Sequence, residues 1–168
     1  MAQAQGLSAP QMGLTAASGT VQDFLPVEEA YVLAVEQLDP QTLLLVWQMP
    51  PGYYLYQHAF RFELLTGGEP LPLKPELPPG LTQEDEYFGR VEVYYDQAEV
   101  LLRADREITA ASLEVTSQGC ADAGLCYPPR TQAFQITPES IAELPLESRR
   151  APAARTSPSA GAGLWYML

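Results

Sequence analysis

From Phe24 onward, apolar residues alternate with polar ones in short runs, and turn-forming residues separate the runs. A period of two places successive side chains on opposite faces, so the pattern predicts half-buried strands; apolar positions on a helix would recur every three or four residues. Strands are expected near Ala30–Glu36, Thr42–Met49, Tyr53–Tyr56, Phe60–Leu65, Val91–Tyr95, Glu99–Arg103, Ser112–Ser117 and Thr131–Ile136. Eight short strands at this spacing predict an all-β domain folded as a two-sheet β-sandwich.

Two stretches interrupt the alternation. Residues 66–89, TGGEPLPLKPELPPGLTQEDEYFG, hold five prolines and four glycines and are expected to form one long irregular loop. After the last strand, Thr137 is placed to cap a short helix over residues 138–144 with Pro138 at its first position, closing one end of the sandwich. The flanks carry no periodicity. Residues 1–23 read as a disordered leader, native or left by expression engineering, residues 24–144 as the folded domain, and residues 145–168 as a Pro/Ala/Ser linker ending on the apolar LWYML.

Of the 168 residues 46% are hydrophobic, enough for one packed core. Formal charge is −12, and residues 24–144 hold 19 acids against 6 bases, a surface that repels phosphate and excludes nucleic acid as a partner. No run approaches the roughly 18 apolar residues of a membrane span, and the first residues lack the basic start and apolar stretch of a signal peptide. If the protein is exported, its signal has been removed.

The two cysteines, Cys120 and Cys126, lie in SQGCADAGLCYPP. Their proximity points to pairing with each other, and such pairs persist mainly outside the cytoplasm. Zinc would need about four Cys or His ligands, and His58 is the sole histidine; no metal or cofactor is implied. Ala121, Asp122, Ala123 and Gly124 are small or turn-forming, so the chain can fold back and bring the sulfurs together. Closing so short a loop stabilises by roughly 2–2.5 kcal/mol in the chain-entropy treatment.

From these residues alone, a structural staple and a redox-active pair both stand open, and short-range disulfides in secreted domains are more often staples. Gly119 permits close backbone approach, and Pro128 and Pro129 stiffen the exit. Asp122 between the cysteines disfavours a thiolate. Alternation puts Tyr54 and Tyr56 on one face and Tyr53 on the other. The acidic and aromatic cluster Glu84–Phe88 reads as a solvated loop, and His58 as a surface residue without a role.

The segment SQGCADAGLCYPP closely resembles the active-site segment of the periplasmic N-terminal domain of the DsbD family, the transmembrane thiol:disulfide interchange proteins of Gram-negative bacteria. PPGYYLYQHAFRF and EDEYFGRVEVYYD match the same family in the same order. The resemblance implies an immunoglobulin-like sandwich that needs no cofactor. It implies a domain that takes reducing equivalents from the thioredoxin-like C-terminal domain of the same membrane-embedded protein. These pass to periplasmic disulfide isomerases and to the thioredoxin-like protein of cytochrome c maturation.

By motif position, Cys126 is the cysteine of the mixed disulfide and Cys120 its resolving mate. Asp85, Glu86 and Tyr87, with Phe88 following, fall on a cap loop, and Tyr54 and Tyr56 flank the cysteines. The family's usual cap Phe is replaced here by Tyr87, which leaves open which ring covers the sulfurs. Two other classes compete with this reading. One is an immunoglobulin-like binding module with a structural disulfide; the other is a copper-handling domain that uses soft sulfur ligands.

Overall fold

The computed structural model describes residues 23–145. The expected leader, apart from Asp23, and the linker beyond Pro145 with its LWYML end lie outside the described residues. After a short helix α1, Val27–Ala30, the chain runs through β1 (Val32–Asp39), β2 (Thr42–Gln48), β3 (Tyr53–Tyr56), a 3-10 turn at Gln57–Ala59 and β4 (Arg61–Thr66). Then come β5 (Glu69–Pro70), β6 (Leu73–Glu76), β7 (Leu81–Asp85), β8 (Gly89–Tyr95) and β9 (Gln97–Ala104). The last four are β10 (Ala111–Ser117), β11 (Gly119–Ala121), β12 (Arg130–Ile136) and β13 (Ile141–Leu144).

Among the described residues these strands form three sheets, in the orders β1-β2-β9-β6, β13-β12-β10-β4-β5 and β11-β3-β8-β7. The first two face each other. Leu43, Leu45 and Trp47 of β2 with Val100 and Leu102 of β9 share one buried cluster with Leu64 of β4, Leu113 and Val115 of β10, and Phe134 and Ile136 of β12. This is the all-β sandwich that the alternation predicts, and every strand expected from it is present within a few residues of its expected bounds.

The third sheet positions the site. Its alternation sends Leu55 and Tyr94 into the main core, while Tyr54, Tyr56, Val91, Val93 and Cys120 form a second, smaller cluster. Strand periodicity therefore gives this sheet two buried faces, one structural and one built around a sulfur atom.

Two expectations are corrected. Residues 138–144 are not a helix: Ile141–Leu144 pairs antiparallel with β12. Thr137 does act as a cap, but of a turn, its Oγ1 accepting from the Ser140 N–H at 3.2 Å. So few residues cannot repay helix nucleation, whereas the open edge of β12 offers ready-made backbone partners. Residues 66–89 are likewise not one irregular loop, since β5, β6 and β7 lie within them. Pro70 and Pro75 sit in β5 and β6, both outermost in their sheets, where a missing N–H costs no ladder bond. The short helix α1 and the three-residue β11 carry no periodic signal in the sequence.

The shared core makes a stability prediction. Leu113→Ala, which empties a fully buried position, should cost about 2–5 kcal/mol in chemical denaturation, whereas Leu38→Ala, at 50% exposure, should stay within about 0.5 kcal/mol of the parent.

Candidate functional site

Cys120 and Cys126 are joined by a disulfide with their Cα atoms 4.0 Å apart. The hairpin that carries them is held by several backbone hydrogen bonds. Ala121 N–H donates to Leu125 O at 2.7 Å, Gly124 N–H to Ala121 O at 2.9 Å and Tyr127 N–H to Gly119 O at 3.0 Å. Asp122 N–H reaches Gly52 O at 2.8 Å, and Gly124 turns the chain with φ +117°, a conformation open to glycine.

Gly119 is required for a different reason. A Cβ there would lie 2.3 Å from the Tyr54 carbonyl oxygen and 2.7 Å from the Tyr31 ring. Only a bare backbone lets β11 pair with β3, in the register Gly119↔Leu55, Cys120↔Tyr54 and Ala121↔Tyr53. Tyr31 closes the other side, donating its hydroxyl to Cys120 O at 3.0 Å in a buried position. Tyr127, next to Cys126, packs edge-on against Tyr31. Its hydroxyl donates to Leu25 O at 2.5 Å, while Leu25 N–H donates to Tyr53 Oη at 3.0 Å. The segment before α1 is thereby tied to the cysteine hairpin.

The two sulfurs differ in access. Cys120 is 1% exposed and Cys126 only partly buried, and both line a cleft of about 240 Å³ with Tyr54, Asp85, Glu86, Tyr87 and Asp122. The resemblance put Tyr54, Asp85, Glu86 and Tyr87 at the site and the reading of the cysteine segment put Asp122 there, and the fold brings them together.

Tyr56 and Asp85 connect the buried sulfur to the β7–β8 turn. Tyr56 Oη lies 3.1 Å from Cys120 Sγ and 4.0 Å from Cys126 Sγ, and it donates to Asp85 Oδ2 at 2.5 Å. The other oxygen of Asp85 accepts from the N–H groups of Tyr87 at 2.6 Å and Phe88 at 3.0 Å, which shapes the β7–β8 turn. Burial pushes the Asp85 carboxyl up, but hydrogen bonds from Tyr56, Tyr87 and Phe88 outweigh it and hold the group below its ordinary value. Burial and the Asp85 hydrogen bond raise the Tyr56 phenol well above its usual range, so it stays a donor.

Asp122 is held separately, accepting from Tyr95 Oη at 2.6 Å. Tyr54 packs against both Tyr56 and Tyr95. β7 and β8 pair without interruption from Leu81↔Val93 to Asp85↔Gly89, so the cap is the tip of a hairpin, with Gly89 at φ +77°. At that tip Tyr87 lines the sulfur cleft, while the Phe88 ring packs against Tyr56, with centroids 5.0 Å apart, and against His58 at 4.8 Å. His58, given no role from sequence, also meets Tyr56 at 5.0 Å. Its contact with residue 88 spans thirty positions, which no local pattern reveals.

A family model described as "Thiol:disulfide interchange protein DsbD, N-terminal" matches residues 21–138. The chain belongs to the DsbD N-terminal family. It is 48% identical over 134 residues to thiol:disulfide interchange protein DsbD 2 of Pseudomonas aeruginosa, covering 78% of this chain and 22% of that protein. Against DsbD of Escherichia coli K12 it is 37% identical over 125 residues, 74% of this chain and 21% of the relative. The chain thus spans about a fifth of the length of these DsbD relatives. Among solved structures it resembles the reduced DsbD N-terminal domain of Neisseria meningitidis, with TM-score 0.62 and 29% identity over 72% of this chain and 95% of that one. It also resembles a chain from a complex between the DsbD and PilB N-terminal domains of that organism, with TM-score 0.61 and 30% identity over 74% and 94% of the two chains.

Two outcomes follow from the DsbD-type geometry. Gly119→Ala should destabilise the oxidised domain by about 1–3 kcal/mol in denaturant titration, because a backbone carbonyl and a buried ring must both shift. For Asp85, whose folded-state value is depressed, the stabilisation it supplies is complete above the ordinary carboxylate value near pH 4. It is lost as pH falls through the lower folded-state value. Asp85→Asn should therefore lower stability at pH 7 and flatten the acid limb of the stability profile.

Proposed function

We propose that this domain carries electrons by thiol–disulfide exchange at Cys120–Cys126, taking them from a thioredoxin-like donor and passing them to thioredoxin-fold acceptors in the periplasm. The observation that carries this reading is the inequality of the two sulfurs on one shared cleft: Cys126 is half-buried, while Cys120 is 1% exposed and lies 3.1 Å from Tyr56 Oη. Attack on a disulfide needs a line of approach to one sulfur and a leaving group at the other. A structural staple has no need of such an arrangement.

In the reductive half, a donor thiolate attacks Cys126 Sγ. The donor–Cys126 bond forms, the Cys126–Cys120 bond breaks, and Cys120 departs with the electron pair as a thiolate. Tyr56 Oη, 3.1 Å away, can turn its proton from Asp85 toward that charge. The donor's second thiolate then attacks its own sulfur in the mixed disulfide and releases Cys126. Two electrons have entered the pair, and the two thiolates take up two protons. In the oxidative half, Cys126 attacks an acceptor disulfide, and Cys120 then attacks Cys126 and expels the reduced acceptor. No metal, nucleotide or flavin takes part in these steps.

The partners are proteins that present a thiol pair to the cleft. The whole protein would supply a thioredoxin-like C-terminal domain as donor, with disulfide isomerases and the cytochrome c maturation thioredoxin-like protein as acceptors. The solved complex of a related DsbD N-terminal domain with a PilB N-terminal domain supports docking of another folded domain on this one. The tip at 85–88 then serves as a lid. Its ring contacts are individually weak, of order 1 kcal/mol, so a docking partner can displace them.

Single-cysteine variants test the assignment. Cys120→Ser leaves Cys126 free to attack an oxidised thioredoxin-like partner, with no thiol to resolve the product, so a stable mixed disulfide should accumulate on non-reducing gels. Equal or better trapping by Cys126→Ser would reverse the roles. In the reduced domain, burial of Cys120 and the carboxylates of Asp85 and Asp122 disfavour thiolates. Alkylation rates should therefore titrate at or above the free-cysteine value of about 8.5, and titration well below it would contradict this electrostatic picture.

A further inference from the structure

We propose that His58 is a positioning residue for exchange, forming the outer wall of a notch that holds the Phe88 ring and so keeps the lid closed over the disulfide. The inference rests on the lid reading above and adds the element that retains the lid.

Three rings meet pairwise: Phe88 with Tyr56 at 5.0 Å and an interplanar angle of 78°, Phe88 with His58 at 4.8 Å and 63°, and His58 with Tyr56 at 5.0 Å. Edge-to-face packing at these separations is attractive for aromatic pairs. Tyr56 is fully buried and cannot yield. Phe88 and His58 are both exposed, so their mutual contact is the part of the cluster that opens without disturbing the core.

The local backbone explains why His58 is available. β3 ends at Tyr56, and the 3-10 turn Gln57–Ala59 sets His58 beside the tip of the β7–β8 hairpin. Gln57 anchors that turn, its Nε2 donating to Tyr94 Oη at 2.7 Å. The wall is therefore fixed from behind, and the moving part is the tip. Asp85 fixes the backbone of that tip through the Tyr87 and Phe88 N–H groups, while the Phe88 ring itself rests in the notch between Tyr56 and His58.

A reagent reaches the sulfurs in proportion to the population of the open lid. Loss of one such ring contact should raise that population by about two- to tenfold. The test is the rate of reduction of the oxidised domain by tris(2-carboxyethyl)phosphine at fixed pH and salt, well below every variant's thermal midpoint, for the parent, His58→Ala, His58→Phe, Phe88→Ala and the double variant His58→Ala/Phe88→Ala. We expect a two- to tenfold rise for His58→Ala, a rate near the parent for His58→Phe, which restores a ring, and a double variant no faster than Phe88→Ala.

A Phe88→Ala rise with His58→Ala unchanged would overturn the role of His58 and leave the lid standing; no change in either would overturn the lid itself. Equal rates for His58→Phe and His58→Ala, or a double variant faster than Phe88→Ala by the full His58→Ala factor, would show that His58 acts otherwise than by holding Phe88. A rise that only tracks a lowered thermal midpoint would count the same way.

Discussion

The site depends on how closely one short stretch of backbone passes beneath another. Gly119 lies against the Tyr54 carbonyl and the Tyr31 ring at distances that admit no side chain. That approach lets three residues join the edge of β3 as β11, which in turn puts Cys120 opposite Tyr54 and under Tyr56. From this one contact follow the burial of Cys120 and the placement of Cys126, half-buried, beside it on the same cleft. Besides the disulfide, the hairpin is held by backbone hydrogen bonds and by the Tyr31 hydroxyl on Cys120 O.

Access and protection are divided between different interactions. Asp85 joins them: one oxygen shapes the turn that carries the cap, and the other receives the phenol that touches Cys120. A charge held at that spot discourages a thiolate nearby. In the proposed reading the pair is poorly suited to attack whatever diffuses past, and a partner would bring its own reactive thiol and the docking surface that moves the tip. Four of the cleft residues, Glu84, Asp85, Glu86 and Asp122, are acidic, a charge that repels small anions.

The pairing of the two cysteines was legible because it is local, with small residues between them that let the chain fold back, but those residues left staple and redox pair open, and the resemblance of the whole segment to a known family decided between them. The sandwich strands were legible wherever one face is buried, as in Thr42–Gln48. They were not legible where prolines mask the pattern, as at Pro70 and Pro75, since an edge strand tolerates residues that deny a central one. The helix expected after Thr137 failed for a related reason: a capping threonine serves a turn equally well, and pairing with β12 decided the outcome. Contacts between residues far apart in sequence, such as Tyr95 with Asp122 or His58 with Phe88, leave no trace in any window of sequence.

The central claim is that Cys120–Cys126 is a working pair and not a staple. The most direct measurement mixes the oxidised domain with a reduced thioredoxin-like donor and follows its disulfide by thiol labelling and mass, while far-ultraviolet circular dichroism monitors the fold. The account predicts rapid, reversible reduction to two free thiols with the β-sheet spectrum retained. A disulfide that resists the donor until the domain unfolds would contradict it.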